Sequence, residues 1–184
     1  MLIRKTTIAD VAAAAAIYDS ARVFMRASGN LHQWSDEYPN EKSILADIDA
    51  DHSYVCEEDG EIIGIFYFNI ANDPTYDKIY GGEWKRDGEY AVIHRIAVKY
   101  HGRGIADFIY ARCFDIHPNI RIDTHRDNVI MHHILRKYGF ERCGVIYLTN
   151  GDARDAYQLS KLKSESRGLY KTEGSTKPTA VSRG

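Results

Sequence analysis

The apolar positions along the chain change between the two-residue period of a strand and the three-and-four-residue period of a helix. Short runs rich in β-branched and aromatic residues predict strands over residues 2–5, 53–57, 62–68, 89–98, 120–124, 143–148 and 156–159. Helices are predicted from a capping box at Thr7 and Asp10 to Gly29, and over residues 41–50, 105–116 and 127–138. This order predicts an α/β fold with a mixed sheet and helices on both faces.

The segment from residue 91 to residue 106 is the most informative, because the strand AVIHRIAV leads through KYHGRG directly into a helix. The apolar face of that helix is predicted from offsets of three and four: Ile105, Phe108, Ile109, Cys113 and Ile116. The first N–H groups of a helix have no intrahelical partner, and the helix dipole adds positive potential there. Gly102 and Gly104 lack a β-carbon, so a ligand can approach their backbone closely. The segment therefore predicts a site for a phosphate or pyrophosphate group.

Two motifs at a characteristic spacing carry a resemblance to a known family. The sequence HGRGIA, residues 101–106, resembles the acyl-CoA pyrophosphate loop of the GNAT-type N-acetyltransferase superfamily, although His101 stands where Arg or Gln is usual. Asn128 lies eleven residues before Gly139, which Phe140 follows, and this spacing resembles the second signature of the superfamily. The resemblance extends over roughly residues 1–161.

The resemblance implies a mixed, largely antiparallel central sheet and acetyl-CoA as the acyl donor. It implies that donor contacts are made by Ile96, Ala97, Val98, Arg103, Gly104, Ile105, Ala106 and Asn128. The strand residues would meet the pantetheine arm, and the loop residues would meet the pyrophosphate. Two of these assignments have ordinary alternatives, since Asn128 is also a favoured helix N-cap and Arg103 could be a solvated surface charge.

Acetyl transfer to an amine is assisted by a proton acceptor, and two residues are candidates for that role. His94 precedes Val98 by four residues and resembles a catalytic histidine of arylalkylamine acetyltransferases, with a hydrogen-bonded core histidine as the alternative. Asp123 precedes Asn128 by five residues, which matches by spacing a carboxylate base of ribosomal-protein alanine acetyltransferases. Its alternatives are a strand-end cap or an ion pair with a nearby arginine. In an ideal strand residues 94, 96 and 98 share one face, and a bulge would change that arrangement.

The general acid of the family is missing from its usual place. The family often has a tyrosine four residues before the glycine of the second signature, and Leu135 stands at that position. Tyr138 is about 300° further round the helix, so it is not an automatic replacement. This departure supports an alternative function, a non-catalytic domain that binds or senses acyl-CoA.

The sequence says less about the acceptor-binding part of the site than about the donor-binding part. Trp34 and Tyr38 are the candidate acceptor-binding residues, because aromatic rings give apolar walls with a polar handle and their loop borders the acceptor site in the family. The predicted function is transfer of an acetyl group to a primary amine of a small molecule or peptide, by direct attack in a ternary complex.

Composition bears on the partners, the cellular compartment and the metal content of the protein. A formal net charge of −2 gives no sign of a basic nucleic-acid surface, and no apolar run approaches the ~20 residues of a membrane span. Three cysteines without paired spacing and no signal-like N-terminus indicate a cytoplasmic protein. The eight histidines show no zinc-type spacing, so no metal is expected, while a homodimer is compatible with the sequence. Residues 1–163 are predicted to form the domain and residues 164–184 a disordered tail.

Overall fold

Seven strands and four helices make up the part of the chain that the computed structural model describes, residues 1–161. The strands are β1 (Leu2–Lys5), β2 (Ser53–Glu58), β3 (Glu61–Ile70), β4 (Ala91–Val98), β5 (Asn119–Thr124), β6 (Glu141–Tyr147) and β7 (Ala153–Ser160). The helices are α1 (Val11–Ala27), α2 (Glu41–Asp49), α3 (Ile105–Ile116) and α4 (Val129–Tyr138). The predicted tail lies outside the described residues, and the domain boundary at residue 163 stays a prediction.

All seven strands join one sheet in the order β1-β2-β3-β4-β5-β7-β6. Neighbouring strands are antiparallel except for β4 and β5, which are parallel. Helices α3 and α4 cover one face of the sheet, and α1 and α2 cover part of the other. The predicted fold class, a mixed and largely antiparallel sheet between helices, is confirmed.

The core forms three clusters, one under α3 and α4 and two on the opposite face of the sheet, because the side chains of each strand alternate between the two faces. Helix α3 buries Ile105, Ile109, Tyr110 and Cys113 against the sheet. The predicted apolar face of this helix is wrong at its end, where Ile116 is 53% exposed. The third cluster lies under the connection between β3 and β4, and a single 3₁₀ turn at Pro74–Tyr76 anchors that connection.

Strand β4 contains a bulge that decides which of its side chains face the site. Tyr67 of β3 pairs with His94 and Ile65 pairs with Ala97, so three steps along β4 match two steps along β3. The extra residue is Arg95, whose φ of 51° is unusual for a residue with a side chain. Residues 94, 96 and 98 therefore do not share one face: Ile96 packs with the α3–α4 core, whereas His94 lies opposite Tyr67 on the other face.

Strands β4 and β5 diverge soon after they begin. They pair only at Ala91 with Ile120 and at Val92 with Arg121, although β4 continues to Val98 and β5 to Thr124. Beyond Val92, the edge of β4 that faces β5 has no strand partner within the described residues. Buried backbone N–H and C=O groups need hydrogen-bond partners, so a molecule bound in this wedge could supply partners for the unpaired groups of β4.

Candidate active site

A cavity of about 1050 Å³ occupies the wedge between β4 and β5 and extends under the loop between α1 and α2. Nine of the residues predicted for the site line this cavity: Trp34, Tyr38, His94, Ile96, Ala97, Val98, Ala106, Asp123 and Asn128. Three predicted donor-binding residues do not line it: Arg103, Gly104 and Ile105. The strand candidates thus share one cavity, and the glycine loop flanks it at Ala106.

The glycine loop forms an open cradle at the start of α3. Gly102 and Gly104 have φ values of 76° and 73°, which favour glycine, and a β-carbon on either would meet no atom within 4 Å. Gly104 caps α3, and its carbonyl accepts from Phe108 N–H at 2.9 Å. The backbone N–H groups of the first helical turn before Phe108 are therefore free of intrahelical partners. The Ile105 side chain is buried in the core, so its contribution to the cradle is its backbone.

Two basic or aromatic side chains of the loop already have partners. Arg103 donates to Glu58 Oε2 at 2.7 Å and lies over the ring of Tyr100 at 5.0 Å. His101 stacks on Phe24 of α1 at a ring-centroid distance of 4.1 Å. The ion pair of Arg103 is half-exposed, so it would exchange readily for a phosphate partner.

His94 lies between two carboxylates in the same cavity. Its Nε2 is 3.0 Å from Asp73 Oδ2, and its Nδ1 is 3.5 Å from Asp123 Oδ1. The buried hydroxyl of Tyr76 donates to the same Asp123 oxygen at 2.7 Å. The two predicted candidate proton acceptors, His94 and Asp123, are therefore neighbours. Each also contacts a residue that the sequence analysis missed: Asp73 contacts His94, and Tyr76 contacts Asp123.

The 3₁₀ turn fixes Asp73 in place. Its Oδ1 accepts from the backbone N–H and the hydroxyl of Thr75, at 2.9 and 2.7 Å, which leaves Oδ2 for His94. Burial raises the pKa of Asp73, but the hydrogen bonds from His94 and Thr75 outweigh it and lower the pKa to about 2. Asp73 is therefore ionised at neutral pH. Burial, with the charge of Asp123 second, raises the pKa of Tyr76 well above its usual value, so Tyr76 stays a donor.

Arg95 contacts three other residues that line the cavity. It donates to both carboxylate oxygens of Asp47 at 2.7 and 2.6 Å and to the Tyr38 hydroxyl at 2.6 Å. Its guanidinium also lies 4.9 Å from the centre of the Tyr67 ring. These contacts explain how a non-glycine residue holds a positive φ in the bulge, and they place Tyr38 at the cavity. Trp34 packs edge-on against Tyr18 of the α1–α2 core at 5.5 Å.

Gln33 pins the loop between α1 and α2 to the end of β5. Its Oε1 accepts from Thr124 Oγ1 at 2.9 Å, from His125 N–H at 2.8 Å and from Asn128 Nδ2 at 3.3 Å. Asn128 also caps α4, because its Oδ1 accepts from Met131 N–H at 3.2 Å. Both ends of the Asn128 amide are thus engaged within the protein, which is the N-cap alternative of the sequence reading.

The position that holds a tyrosine in many family members gives no proton donor here. Leu135 is fully buried in the α3–α4 core. The ring of Tyr138 packs on Tyr110 at 4.9 Å, and its buried hydroxyl has no hydrogen-bond partner in the described part of the chain. Tyr110 lines the cavity and donates to Met131 Sδ at 3.5 Å.

A mixed sheet that opens between two parallel strands, beside a glycine cradle at a helix N-terminus, defines an acetyltransferase of the GNAT type. The family model for GNAT acetyltransferases matches residues 14–140, and the chain belongs to that family.

Solved structures agree with this assignment. A GNAT-family acetyltransferase from Streptococcus agalactiae 2603 is 34% identical with a TM-score of 0.79, and the match covers 88% of this chain and 96% of that one. A ribosomal-protein-alanine N-acetyltransferase from Brucella melitensis shares the fold at 18% identity, a TM-score of 0.59 and coverages of 87% and 99%. So does yncA from Salmonella typhimurium, solved with its cofactor acetyl-CoA, at 18% identity, a TM-score of 0.58 and coverages of 90% and 96%.

No curated protein sequence matches the chain significantly. Within residues 1–161, no helix is both long and apolar enough to cross a membrane. The same residues contain no group of three or more His, Cys, Asp or Glu side chains that could hold a metal ion.

Proposed function

We propose that the chain is an acetyl-CoA-dependent N-acetyltransferase that transfers an acetyl group to a primary amine within a ternary complex. One observation carries the proposal: a single cavity is lined by His94 with its two carboxylates and is flanked at Ala106 by the glycine cradle. A donor held at the cradle and an acceptor held at His94 would meet beside the unpaired edge of β4.

The donor half of the proposal uses mostly backbone groups. The N–H groups of Gly104, Ile105 and Ala106 would bind the pyrophosphate, because the cradle is open and the helix N-terminus favours an anion. The unpaired edge of Ile96–Val98 would bind the pantetheine arm as an added strand would. Arg103 would meet a CoA phosphate after leaving Glu58, and Asn128 would shape this end through its cap of α4.

The proton transfer is assigned to His94. A neutral imidazole has one N–H and one lone pair. When Asp73 accepts the Nε2 proton, the lone pair lies on Nδ1 and faces Asp123. An incoming ammonium group would donate to Asp123 and lose one proton to solvent. As its nitrogen bonds to the acetyl carbon, it would lose a second proton to Nδ1.

The same step breaks the bond between the acetyl carbon and sulfur, and the electron pair leaves with the sulfur. Free N–H groups on the edge of β4 would stabilise the negative charge that develops on the acetyl oxygen. A thiol has a pKa of about 8.5, so a thiolate is a tolerable leaving group near neutral pH even though Leu135 offers no proton. This argument favours an enzyme over a binding domain.

The test is release of free thiol from acetyl-CoA during incubation with a panel of amines, amino acids and peptides. We expect release that depends on both the protein and one class of acceptor, with the acetylated product identified by mass spectrometry. Tight binding of CoA without release above background for any acceptor would instead support the acyl-CoA binding or sensing function.

Replacing Gly104 with Ala is expected to weaken CoA binding about tenfold, equivalent to about 1.4 kcal/mol. The added methyl group would enter the open cradle, and the positive φ would be strained. Gly60→Ala is the matched control, because Gly60 has a φ of 80° and equally open surroundings in the hairpin between β2 and β3. Titration calorimetry with CoA should separate the two variants, and equal affinities would contradict a role for the cradle.

A further inference from the structure

Arg154 is a buried cation on the wall of the cavity. It is 4% exposed, lies at the start of β7 and lines the cavity. Its hydrogen bonds go to two backbone carbonyls, of Ala153 at 3.2 Å and of Gln33 at 3.5 Å. A guanidinium has five N–H donors, so these two bonds use only part of its capacity.

Arg154 has no close counter-ion among the described residues. The carboxylate paired with it belongs to Asp152, at 3.7 Å, and that side chain is half-exposed. A separation of this length exceeds a hydrogen bond. Burial of a charge is costly unless the charge is paired, so Arg154 is better suited to a site where an anion arrives with a ligand.

The positive charge of Arg154 affects the pKa of a neighbouring histidine. Burial lowers the pKa of the neighbouring His125, and the charge of Arg154 lowers that pKa further. Asp127 opposes this effect from 3.4 Å and His32 adds to it, with its ring 5.6 Å from that of His125. Arg154, the two histidines and Asp152 all line the cavity.

Asp123 lies close to Arg154 in the register of β5 and β7. Asp123 pairs with Ala156 across β5 and β7, and Arg154 is two residues from Ala156 on the same strand and face. Diagonal neighbours of this kind are about 7–8 Å apart between backbones. The same cavity therefore presents Asp73 and Asp123 beside His94, and the guanidinium of Arg154 on its wall.

We propose that the acceptor is an amino acid or a closely similar amino carboxylate. Its amine contacts Asp123 and His94, and its carboxylate binds the guanidinium of Arg154 in a charge-assisted pair. A peptide N-terminus presents a neutral amide where this carboxylate would lie, and a polyamine presents another cation. Neither supplies the anion that Arg154 lacks. The inference rests on the proposed acetyltransferase function of the same cavity.

The test compares acceptors that differ only in the carboxylate. The common L-amino acids are assayed by thiol release from acetyl-CoA, each beside its carboxamide and its decarboxylated amine. We expect kcat/KM for the preferred amino acid to exceed that for its carboxamide and amine by tenfold or more. Arg154→Gln should lower kcat/KM for the amino acid about 10–100-fold and change that for the amine less than threefold. Because this selectivity is a ratio within one variant, a loss of folded protein does not change it.

Arg126→Gln is the matched control, because Arg126 is exposed and lies in the same β5–α4 connection as His125. It should leave the selectivity for the carboxylate unchanged. Equal use of amino acids, carboxamides and amines by the natural protein would overturn the inference while the proposed function stands. The inference would also be overturned if Arg154→Gln lowered kcat/KM equally for the amino acid, its carboxamide and its amine.

Absence of thiol release with every acceptor would instead overturn the proposed function. The inference is then decided by titration calorimetry of the same amino acids and carboxamides with the protein. Binding of an amino acid that is lost in Arg154→Gln supports it. Absence of binding by any amino acid overturns it.

Discussion

Replacing His94 with Gln is expected to lower kcat with the preferred amine about 10²–10³-fold, with a smaller change in the binding of CoA. Glutamine can still donate to Asp73, so the local hydrogen bond and the packing under β4 are retained. What it lacks is a nitrogen that accepts a proton from the attacking amine. The rising limb of the pH–rate profile, as pH increases, should also flatten, because glutamine cannot accept a proton at this position.

His52→Gln is the matched control for this experiment. Its ring packs against Tyr67, as the ring of His94 does, but it does not line the cavity. We expect that variant to keep both kcat and the pH profile. If His94→Gln keeps the pH profile of the natural protein, the base is another group, and Asp123→Asn is then the variant in which the profile should change.

The donor half of the fold could be predicted from the sequence because its signals are local. The change from a two-residue period to a helical period at residues 91–106 predicts the strand, the loop and the helix, and Gly102 and Gly104 mark the positive φ values between them. The spacing from Asn128 to Gly139 likewise gives α4, since one residue caps its start and the other its end. These features depend on backbone preferences of a few adjacent residues.

The bulge in β4 could not be predicted in this way. It is held at Arg95, a residue type that gives no turn signal, and its cause is distant in sequence. Asp47 and Tyr38 bind the guanidinium from the α2 side of the sheet. The energy of an ion pair between residues 48 positions apart offsets the backbone strain, and only the folded arrangement reveals it.

The acceptor half depends on similar long-range contacts. Asp73 precedes Pro74 and Thr75, a pattern that suggests a cap for a turn, but nothing local indicates that its second oxygen reaches His94. Arg154 precedes the predicted strand 156–159, and nothing in the local sequence marks it. Its interest comes from burial beside a cavity without a close carboxylate, which is a property of the tertiary structure.

The connection between β3 and β4 brings Asp73 and Tyr76 to the site, and it is fixed to β6 by close backbone packing. Tyr80 and Val145 exchange two backbone hydrogen bonds of 2.8 Å. A β-carbon on Gly82 would lie 2.0 Å from the carbonyl oxygen of Cys143. A side chain at residue 82 is therefore incompatible with the present position of this connection.

Replacing Gly82 with Ala is expected to lower the free energy of unfolding by about 3 kcal/mol, because backbone must move to admit the methyl group. The same displacement should loosen Asp73 and Tyr76, so kcat should fall in the folded fraction as well. Gly81→Ala is the control: Gly81 has a φ of 65° and open space around it, so its cost is strain alone, about 1 kcal/mol. Urea denaturation and kcat measured on both variants check the prediction. A Gly82→Ala protein as stable and active as Gly81→Ala would mean that the connection does not position the carboxylate of Asp73 against His94.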